Sequence, residues 1–334
     1  MPSVAVVMAT FNGERWIEAQ LRSISSQTRL PERLVISDDG STDGTVEIAQ
    51  KFARDAPFDV ELLEGPRIGC DENFWLAAKH SHTDVIAWCD QDDVWFPQKL
   101  QLCERLMEDN NVPFVSHSAV VADATLAPTG QLYPDYTRTR VLEPLVGDWF
   151  WRAPGFTQFF RAELLQVVQW EDRPSIPTFL NGRFAHSEVI ALLAFATCRR
   201  LEIADTLATY RRHGRNLSGG APKIHGPLET VKVALSNEST SYSHQAWLAG
   251  LYGRFIAACG PSNSRAIDYF AMIEERCLRR SKTHQSPGRL SGARNLAVAL
   301  ARGDYGRRSH GGFGKLALSR DLVALALDVN RSPT

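Results

Sequence analysis

The stretch Val85-Ile86-Ala87-Trp88-Cys89-Asp90-Gln91-Asp92-Asp93-Val94-Trp95 joins a buried strand to an acidic cluster. Its first five residues are mostly apolar and predict a strand that is covered on both faces. Three carboxylates follow within four positions, and like charges this close together repel unless a cation, a partner group or water compensates. Mg²⁺ and Mn²⁺ bind one or two protein carboxylates together with substrate phosphates, so the cluster indicates a metal–phosphate site. A solvated acidic turn that caps the following helix is the alternative.

Around this stretch, strand and helix patterns alternate over the first 120 residues. Runs of strand-forming apolar residues are separated by segments whose apolar residues recur with helical spacing. This alternation predicts βαβ units and therefore an α/β fold with a mostly parallel sheet. The strands are predicted at 4–9, 34–37, 60–63, 85–89 and 114–121, and the helices at 14–26, 45–52, 72–80 and 97–110.

The rest of the chain has a different character. Residues 122–215 look irregular and are rich in aromatic side chains, which either pack in a core or line a pocket for a sugar or a lipid. Within this segment 186–197 predicts a buried helix. From residue 227 onward the pattern is helical, with breaks at Pro261 and at Pro287-Gly288.

Length and charge limit the classes of function. The 334 residues suggest one large or two ordinary domains, and the formal net charge of −1 argues against a nucleic-acid binder. Residues 276–334 carry 12 Lys/Arg and 3 Asp/Glu, a surplus of +9, which leaves −10 for the remainder. This basic tail suggests an anionic partner, such as a membrane surface, while a solvated helical face with no partner is the alternative.

The six cysteines show no CxxC pair and no framework spacing, which argues against a zinc site and a disulfide scaffold. The N-terminus leads directly into a predicted strand without a signal-like segment, and no apolar run reaches 18 residues. We therefore expect a cytoplasmic protein, with peripheral contact at the inner membrane surface as an open option. The tail could equally dock on a second subunit of a homodimer or on its own catalytic domain.

Polar residues follow three of the predicted strands. The segments are Thr10-Phe11-Asn12-Gly13-Glu14, Asp38-Asp39-Gly40-Ser41-Thr42-Asp43-Gly44 and the cluster at 90–93. In open α/β sheets ligands bind beyond the carboxyl ends of the strands, so we expect the three segments to form one site. No strand is followed by GxGxxG, which argues against a dinucleotide fold, and no GxxxxGK[ST] is present, which argues against a P-loop.

Taken together, these segments resemble family 2 glycosyltransferases of the GT-A fold. The resemblance rests on residues 6–14, 36–45 and 89–95, with Ser26-Gln27-Thr28 also in agreement. The segment Tyr210-Arg211-Arg212-His213-Gly214-Arg215-Asn216-Leu217-Ser218 resembles the rhamnosyltransferase-like branch of that family. Order and spacing agree over 3–218. The resemblance implies a GT-A domain over 1–220, with a donor half 1–121 and an acceptor half 122–220, followed by a helical basic region over 221–334.

The resemblance also assigns the donor site. Asp39 would accept a hydrogen bond from the N3–H of a uracil or thymine base. Asn73 would reach the ribose or the sugar, or else serve a structural role, and either Arg211 or Arg212 would pair with phosphate. The implied nucleotide-sugar contacts are Thr10, Phe11, Asn12, Glu14, Asp39, Asn73, Asp90, Gln91, Asp93 and Arg211.

For the metal, Mg²⁺ or Mn²⁺, the resemblance implies Asp92 as the direct ligand. Asp90 would lie by the ribose or the metal, and Asp93 would support the ligand or contact the donor sugar. His213 matches a position that often approaches the metal or the diphosphate, although a structural histidine is the alternative. A metal that bridges the diphosphate stabilises the charge that grows on the leaving group.

Inverting transfer also needs a base for the acceptor hydroxyl. The family places an Asp at the start of a helix after the aromatic segment, but this chain has His186-Ser187-Glu188, with Ser187 where the Asp is expected. We predict Glu188 as the base, with His186 second, and a structural role for both remains an alternative. Gly155, in a segment that resembles the floor of the acceptor site, and Trp149 are the predicted acceptor contacts.

The sequence thus predicts an inverting, metal-dependent glycosyltransferase. The resemblance favours dTDP-L-rhamnose as donor and a saccharide acceptor, such as a lipid-linked precursor of a bacterial polysaccharide or O-antigen. A UDP-sugar-dependent transferase is an alternative, because Asp39 does not separate thymine from uracil. A nucleotidyltransferase would need a Gly-rich basic loop after the first strand, which is absent here. A sugar-nucleotide or glycan-binding module that has lost its base is the remaining alternative, and Ser187 is its support.

Overall fold

The computed structural model describes residues 1–149, 153–173, 183–214, 216, 238–260, 263–285, 289–306 and seven further positions between 312 and 325. The chain divides into two compact units. The first comprises Met1–Pro144 and Arg152–Gly219, and the second comprises Leu145–Trp151 and Gly220–Thr334.

The first unit begins with four parallel strands that alternate with helices. All seven residues of the first strand are buried, as its continuous apolar run predicts. The order of the elements along the chain is β1 (Val4–Thr10), α1 (Ile17–Ser25), β2 (Arg33–Asp38), α2 (Thr45–Asp55), β3 (Asp59–Glu64), α3 (Cys70–Lys79) and β4 (Val85–Asp90).

The second half of this unit extends the same sheet with strands of both directions. The elements are β5 (Val94–Trp95), α4 (Lys99–Asn110), β6 (Phe114–Ala122), β7 (Pro128–Leu132), β8 (Arg140–Leu142), β9 (Gln158–Arg161), α5 (Glu163–Gln166), α6 (His186–Thr197) and β10 (Arg200–Arg211). The sheet order is β3-β2-β1-β4-β9-β6-β10-β5. Outside this order, β7 pairs with β6 and β8 pairs with β10. The predicted α/β class is confirmed.

The prediction of an irregular middle segment is wrong, because part of it forms sheet. β9 inserts antiparallel between β4 and β6, and the 12-residue β10 runs parallel to β6. The sequence of β10 obscures it, since charged residues interrupt its apolar ones. β10 also shifts register twice against β6, which breaks the alternation of period two on which strand prediction relies.

The first and fourth helices begin later than predicted. α1 starts at Ile17 instead of Glu14, because the carbonyl of Gly13 accepts from the N–H groups of Trp16 and Ile17 in a preceding turn. α4 starts at Lys99 instead of Pro97.

The strand register brings the predicted polar segments to one edge of the sheet. Thr10 at the end of β1 lies opposite Asp38 of β2, and Ala9 lies opposite Asp90 of β4. β5, which follows the acidic cluster, pairs with the far part of β10 through Trp95 and Ala208. The loops after β1, β2 and β4 therefore leave the sheet side by side.

In the second unit the described helices are α7 (Glu238–Ala258), α8 (Ser264–His284) and α9 (Arg289–Ala301). Part of its basic charge is internal. Buried Arg280 pairs with Asp321 at 2.7 Å, and Arg279 pairs with Asp304 at 2.8 Å. His284 and Tyr305 also hydrogen-bond to Asp321. Among the described helices of the chain, none combines the length and hydropathy that a membrane span requires.

Candidate active site

The loop after β2 is held by Asp38, whose carboxylate is fully occupied. It accepts from the hydroxyl of Thr10 at 2.8 Å, from the N–H groups of Gly40 and Ser41 at 3.1 and 2.7 Å, and from the Ser41 hydroxyl at 2.6 Å. Asp38 therefore fixes the turn. The hydroxyl of Thr10, a predicted nucleotide contact, is used in the hydrogen bond to Asp38. The neighbouring Asp39 is left to face a ligand.

Asp39 has one carboxylate oxygen in use and one to spare. Its Oδ2 accepts from the backbone N–H of Gly69 at 2.9 Å, which ties the loop to the start of α3. Its Oδ1 is buried and has no hydrogen-bond partner among the residues that the structure describes. A buried acceptor without a donor is costly, so this oxygen is suited to an N–H group brought by a ligand.

Asn12 and Glu14 join the loop after β1 to the loop after β2. Asn12 has a left-handed backbone (φ 46°), and its side-chain oxygen accepts from Thr42 N at 2.9 Å. Glu14 accepts from Gly44 N at 3.2 Å. Phe11, in contrast, exposes 53% of its surface. Of the residues predicted after β1, Phe11 has a side chain that remains open to a ligand.

Gln91 also serves the loop after β1. Its side-chain oxygen accepts from Phe11 N at 3.1 Å, and its amide group donates to Phe11 O at 3.0 Å. A Cβ on Gly13 would overlap the Gln91 amide, so glycine is needed there for close approach. These contacts indicate that Gln91 positions the loop.

Asn73 is 1% exposed and lies behind the strand ends. Its amide donates to the carbonyls of Ser37 at 2.6 Å and Thr10 at 3.4 Å, and its oxygen pairs with the Ser37 hydroxyl. These contacts favour the structural alternative for Asn73 over the ribose contact.

The acidic cluster after β4 brings three carboxylates together. Ligand oxygens of Asp90, Asp92 and Asp93 all lie within 4.8 Å of one another. Burial, and next the carboxylate of Asp92, raise the pKa of Asp90 to about 6. Burial and the same neighbour raise the pKa of Asp93 well above its usual value, and within the described residues Asp93 Oδ2 is buried without a hydrogen-bond partner. Three carboxylates this close together match the hard oxygen ligands of Mg²⁺ or Mn²⁺.

The segment after β10 holds this cluster in place. His213 Nε2 lies 2.8 Å from Asp92 Oδ2, and Asn216 donates to the same oxygen at 3.2 Å. Arg211 donates its backbone N–H to Asp93 Oδ1 at 3.0 Å and its Nε to the carbonyl of Asp92 at 2.8 Å. Arg211 is 5% exposed, and its NH2 nitrogen has no hydrogen-bond partner in the described part of the chain. The His213 ring stacks on Trp16 with centroids 4.9 Å apart.

Several residues of the site were not predicted individually. Asn216 belongs to the segment 210–218 but was not assigned a role there, and Trp16 meets His213 only because the fold brings them together. Lys99 is fully buried, donates to the carbonyl of Phe156 at 2.7 Å, and places its ammonium 3.5 Å from the centroid of the Trp95 ring. Burial lowers the pKa of Lys99 to about 8, although the nearby carboxylates Asp90 and Asp93 counteract this.

At the predicted base position, His186 is 7% exposed and pairs with Asp71 of α3. Its Nδ1 and its backbone nitrogen lie 2.8 and 3.0 Å from Asp71 Oδ1. The ring stacks on Phe74 at 3.9 Å and meets Trp88 edge-on at 5.2 Å. Asp71 was not predicted, because 115 residues separate it from His186.

The other predicted residues for catalysis and acceptor binding are placed as follows. Glu188 is half-buried in the first turn of α6. Gly155 lies against this turn, since a Cβ there would be 3.2 Å from both His186 Nε2 and Ser187 Cβ. Trp149 belongs to the second unit, where it is 8% exposed and its ring meets Tyr252 edge-on at 6.2 Å.

Comparison with known proteins adds a family to this geometry. Residues 5–165 match the model described as "Glycosyl transferase family 2". The putative glycosyltransferase EpsE of Bacillus subtilis is 27% identical over 239 residues, which cover 60% of this chain and 84% of EpsE. The dTDP-rhamnosyl transferase RfbG of Shigella flexneri is 35% identical over 118 residues, which cover 34% of this chain and 41% of RfbG.

A solved structure shows the same fold. The crystal structure of Staphylococcus aureus TarS 1–349 in complex with UDP-GlcNAc superposes with a TM-score of 0.53 at 15% identity. The match covers 91% of this chain and 93% of that one.

Proposed function

Because the chain belongs to glycosyl transferase family 2 and has the GT-A fold, we propose that it transfers a sugar from a nucleoside diphosphate to a saccharide with inversion. The observation that carries this proposal is the edge where Asp39 and the acidic cluster meet. Asp39 follows β2 and offers a buried oxygen that has no partner among the described residues, whereas the acidic cluster follows β4, and β1 lies between these two strands. The Asp39 oxygen suits the base of a nucleotide, and the acidic cluster suits its metal-bound diphosphate.

At the base end, Asp39 Oδ1 accepts the N3–H of uracil or thymine. A carboxylate gives a charge-assisted bond to such a donor, and the bond to Gly69 keeps the side chain in place. Phe11, with its large exposed surface, covers the base or ribose. Asn12, Glu14, Gln91 and Thr10 act by fixing these two loops.

At the diphosphate end, Asp92 and Asp90 would hold Mg²⁺ or Mn²⁺. Asp92 is kept in position by His213 and Asn216, while Asp93 supports the cluster from its buried position beside Arg211. When bound, the metal neutralises the charge that develops on the departing diphosphate. The NH2 nitrogen of Arg211, which has no hydrogen-bond partner among the described residues, is the proposed donor to a phosphate oxygen, a group that a guanidinium binds well.

We further propose dTDP-L-rhamnose as the donor. The similarity to a dTDP-rhamnosyl transferase and the segment 210–218 support it, whereas Asp39 would serve UDP-sugars equally well. The proposed acceptor is a saccharide of a bacterial polysaccharide or O-antigen precursor, and Gly155 is its proposed contact in the first unit. If this precursor is lipid-linked, the surplus positive charge of the C-terminal region suits contact with an anionic membrane.

Thermal-shift measurements with nucleotide sugars test the donor site. We expect dTDP-rhamnose to raise the melting temperature in Mn²⁺, and the increase to shrink when EDTA removes the metal or in Asp92→Asn. UDP-glucose and GDP-mannose report on base selection, and Asp59→Asn at the opposite end of the sheet is the control. Stabilisation that is indifferent to both EDTA and Asp92→Asn would contradict the metal role.

Turnover separates the transferase from the binding-module alternative. The module would be stabilised by donor but would release no nucleoside diphosphate with any acceptor. We expect release to be dependent on Mn²⁺ or Mg²⁺ and to follow the same donor preference as the thermal shift.

A further inference from the structure

His186 is held in a single orientation by groups on three sides. Asp71 Oδ1 accepts a hydrogen bond from the backbone N–H of His186. Nδ1 of His186 lies 2.8 Å from the same oxygen, and because a carboxylate oxygen does not donate, Nδ1 is the protonated nitrogen of the ring. Phe74 stacks on one face of the ring, and Trp88 meets it edge-on. This set fixes both the tautomer and the direction of Nε2, which is left as an acceptor.

Nε2, at the other end of the ring, is buried and has no hydrogen-bond partner within the part of the chain that the structure describes. A neutral imidazole whose Nδ1 is protonated presents a basic lone pair at this atom. Nε2 is therefore a hydrogen-bond acceptor that the described residues leave unused, and Asp71, at the opposite side of the ring, fixes its direction.

The surroundings of Nε2 place it in the proposed active site. Gly155, the predicted acceptor floor, lies so close that a Cβ would be 3.2 Å from Nε2. Trp88, which meets the ring, is two residues before Asp90 on β4. His186 thus contacts the strand that leads to the acidic cluster on one side and the predicted acceptor segment on the other, and a base for transfer acts on an acceptor hydroxyl.

We propose that His186 is the catalytic base and that Asp71 is its positioning residue, in place of the predicted Glu188. The inference rests on the proposed glycosyl transfer. The acceptor hydroxyl forms a bond to the anomeric carbon of the donor and gives its proton to Nε2. The bond between that carbon and the diphosphate oxygen breaks, its electron pair leaves with the nucleoside diphosphate, and Asp71 stabilises the imidazolium until its proton passes to water.

The geometry of α6 argues against Glu188 in this role. Successive residues of an α-helix are about 100° apart, so Glu188 points about 200° away from His186 around the helix. His186 and Ser187 face Gly155, and a side chain two positions after His186 leaves that side. The greater length of Glu188 does not compensate for the opposite direction.

Three matched variants of the full chain test the pair. His186→Asn keeps an N–H near the Nδ1 position for Asp71 but has no Nε2. Asp71→Asn keeps an oxygen for the backbone N–H of His186 but loses the charge. Glu188→Gln tests the rival base, and Asp59→Asn, at the opposite end of the sheet, is the control. Each is supplied with dTDP-rhamnose, UDP-glucose or UDP-GlcNAc in Mn²⁺ with methyl glycosides as acceptors, and nucleoside diphosphate release is followed.

We expect kcat to fall about 10²- to 10⁴-fold in His186→Asn and about 10- to 100-fold in Asp71→Asn. KM for the donor and the donor-induced thermal shift should stay at wild-type values, whereas a purely structural role for Asp71 would alter both. Asp59→Asn should stay within about 2-fold of wild type, and Glu188→Gln should lose far less turnover than His186→Asn. Asp71→Ala, which also removes the cap of α6, should lose stability in addition.

The outcomes separate this inference from the proposed function. Wild-type turnover that survives His186→Asn, or that is lost in Glu188→Gln with donor binding intact, overturns the base assignment and leaves the transferase standing. A wild-type protein that releases no nucleoside diphosphate from any donor contradicts the transferase, and the base assignment falls with it.

Discussion

Single side chains in this protein divide into those that build the site and those that the site leaves unpaired. Asp38 and Asp39 are adjacent and chemically identical, yet Asp38 has both oxygens occupied and Asp39 has one oxygen without a donor. The same contrast separates Asn73, whose amide is fully used, from His186, whose Nε2 is not. Unpaired buried atoms are therefore the best guide to where a ligand completes the structure.

Asp39→Asn tests this idea at the base end. The amide can no longer offer a charged acceptor to the N3–H of uracil or thymine, and a bond to a charged group contributes about 1.5–3 kcal/mol. We expect the Kd for UDP or dTDP to rise about 10- to 100-fold, measured by calorimetry, with the melting temperature of the free protein little changed. Asp59→Asn, on the exposed start of β3, should bind as wild type. Equal affinity in the two variants would argue against the base contact.

A second side-chain prediction concerns Gly13 and Gln91. A Cβ in Gly13→Ala overlaps the Gln91 amide, so that Gln91 must release the backbone of Phe11. We expect a loss of about 1–3 kcal/mol in the free energy of unfolding, measured by urea denaturation, and weaker donor binding. In the double variant with Gln91→Ala the overlap disappears, so the two losses should be less than additive. Strict additivity would show that the overlap is relieved elsewhere.

Among the elements, those with strong local patterns are predicted well. β1 to β4 have continuous apolar runs, and the helices between them have clear apolar faces, so both their type and the common edge of their polar ends follow from the sequence. β10 does not, because its register shifts and charged residues hide the strand pattern. The pairing of Asp71 with His186 was equally invisible, since it depends on how α3 packs near the start of α6.

Lys99, the first residue of α4, gives a pH prediction. Burial lowers its pKa from 10.5 to about 8, so between these values the unfolded chain binds more protons than the folded protein. The free energy of unfolding should therefore gain a contribution from Lys99 as pH rises from about 8 to 10.5, of at most about 3 kcal/mol. Denaturant titrations across this range measure it.

The matched comparison is Lys99→Met. The buried thiols of Cys89 and Cys103 have raised pKa values and oppose the trend, but they are present in both proteins. We expect the stability of wild type relative to the variant to rise across the window. A constant difference would show that Lys99 titrates normally.

For the molecule as a whole, the described donor-site residues lie in the first unit, and a separate buried network holds the second. Asp321 hydrogen-bonds to Arg280, His284 and Tyr305, and all four residues lie in the continuous segment Gly220–Thr334 of the second unit. Removing the carboxylate leaves Arg280 buried without its charge partner, which typically costs about 3–5 kcal/mol.

Asp321→Asn should therefore destabilise the second unit while the donor site stays intact. We expect calorimetry to show earlier melting, and nucleotide affinity below that melting temperature to remain at the wild-type value. Asp304→Asn, at the Arg279 pair, should behave in the same way. A loss of nucleotide affinity at temperatures where the variant is folded would mean that the donor site depends on the tail.

The ion pairs change the charge surplus of the basic tail only slightly. Residues 276–334 carry a surplus of +9, and Arg276, Arg279 and Arg280 form ion pairs with Asp304 and Asp321 inside the unit. Because three arginines and two aspartates are withdrawn together, 9 Lys/Arg and 1 Asp remain, and the surplus falls only to +8.

The contacts that His213 and Asn216 make to Asp92 Oδ2 form late in the synthesis of the chain. β10 enters the sheet beside β6 and pairs with β5, although it is synthesised after every other strand of that sheet. A nascent chain that has reached residue 165 contains all three carboxylates of the cluster but none of the groups that orient them. We therefore expect a chain that ends before residue 211 to keep the loop of Asp39 but to lack every contact that His213, Asn216 and Arg211 make to the acidic cluster.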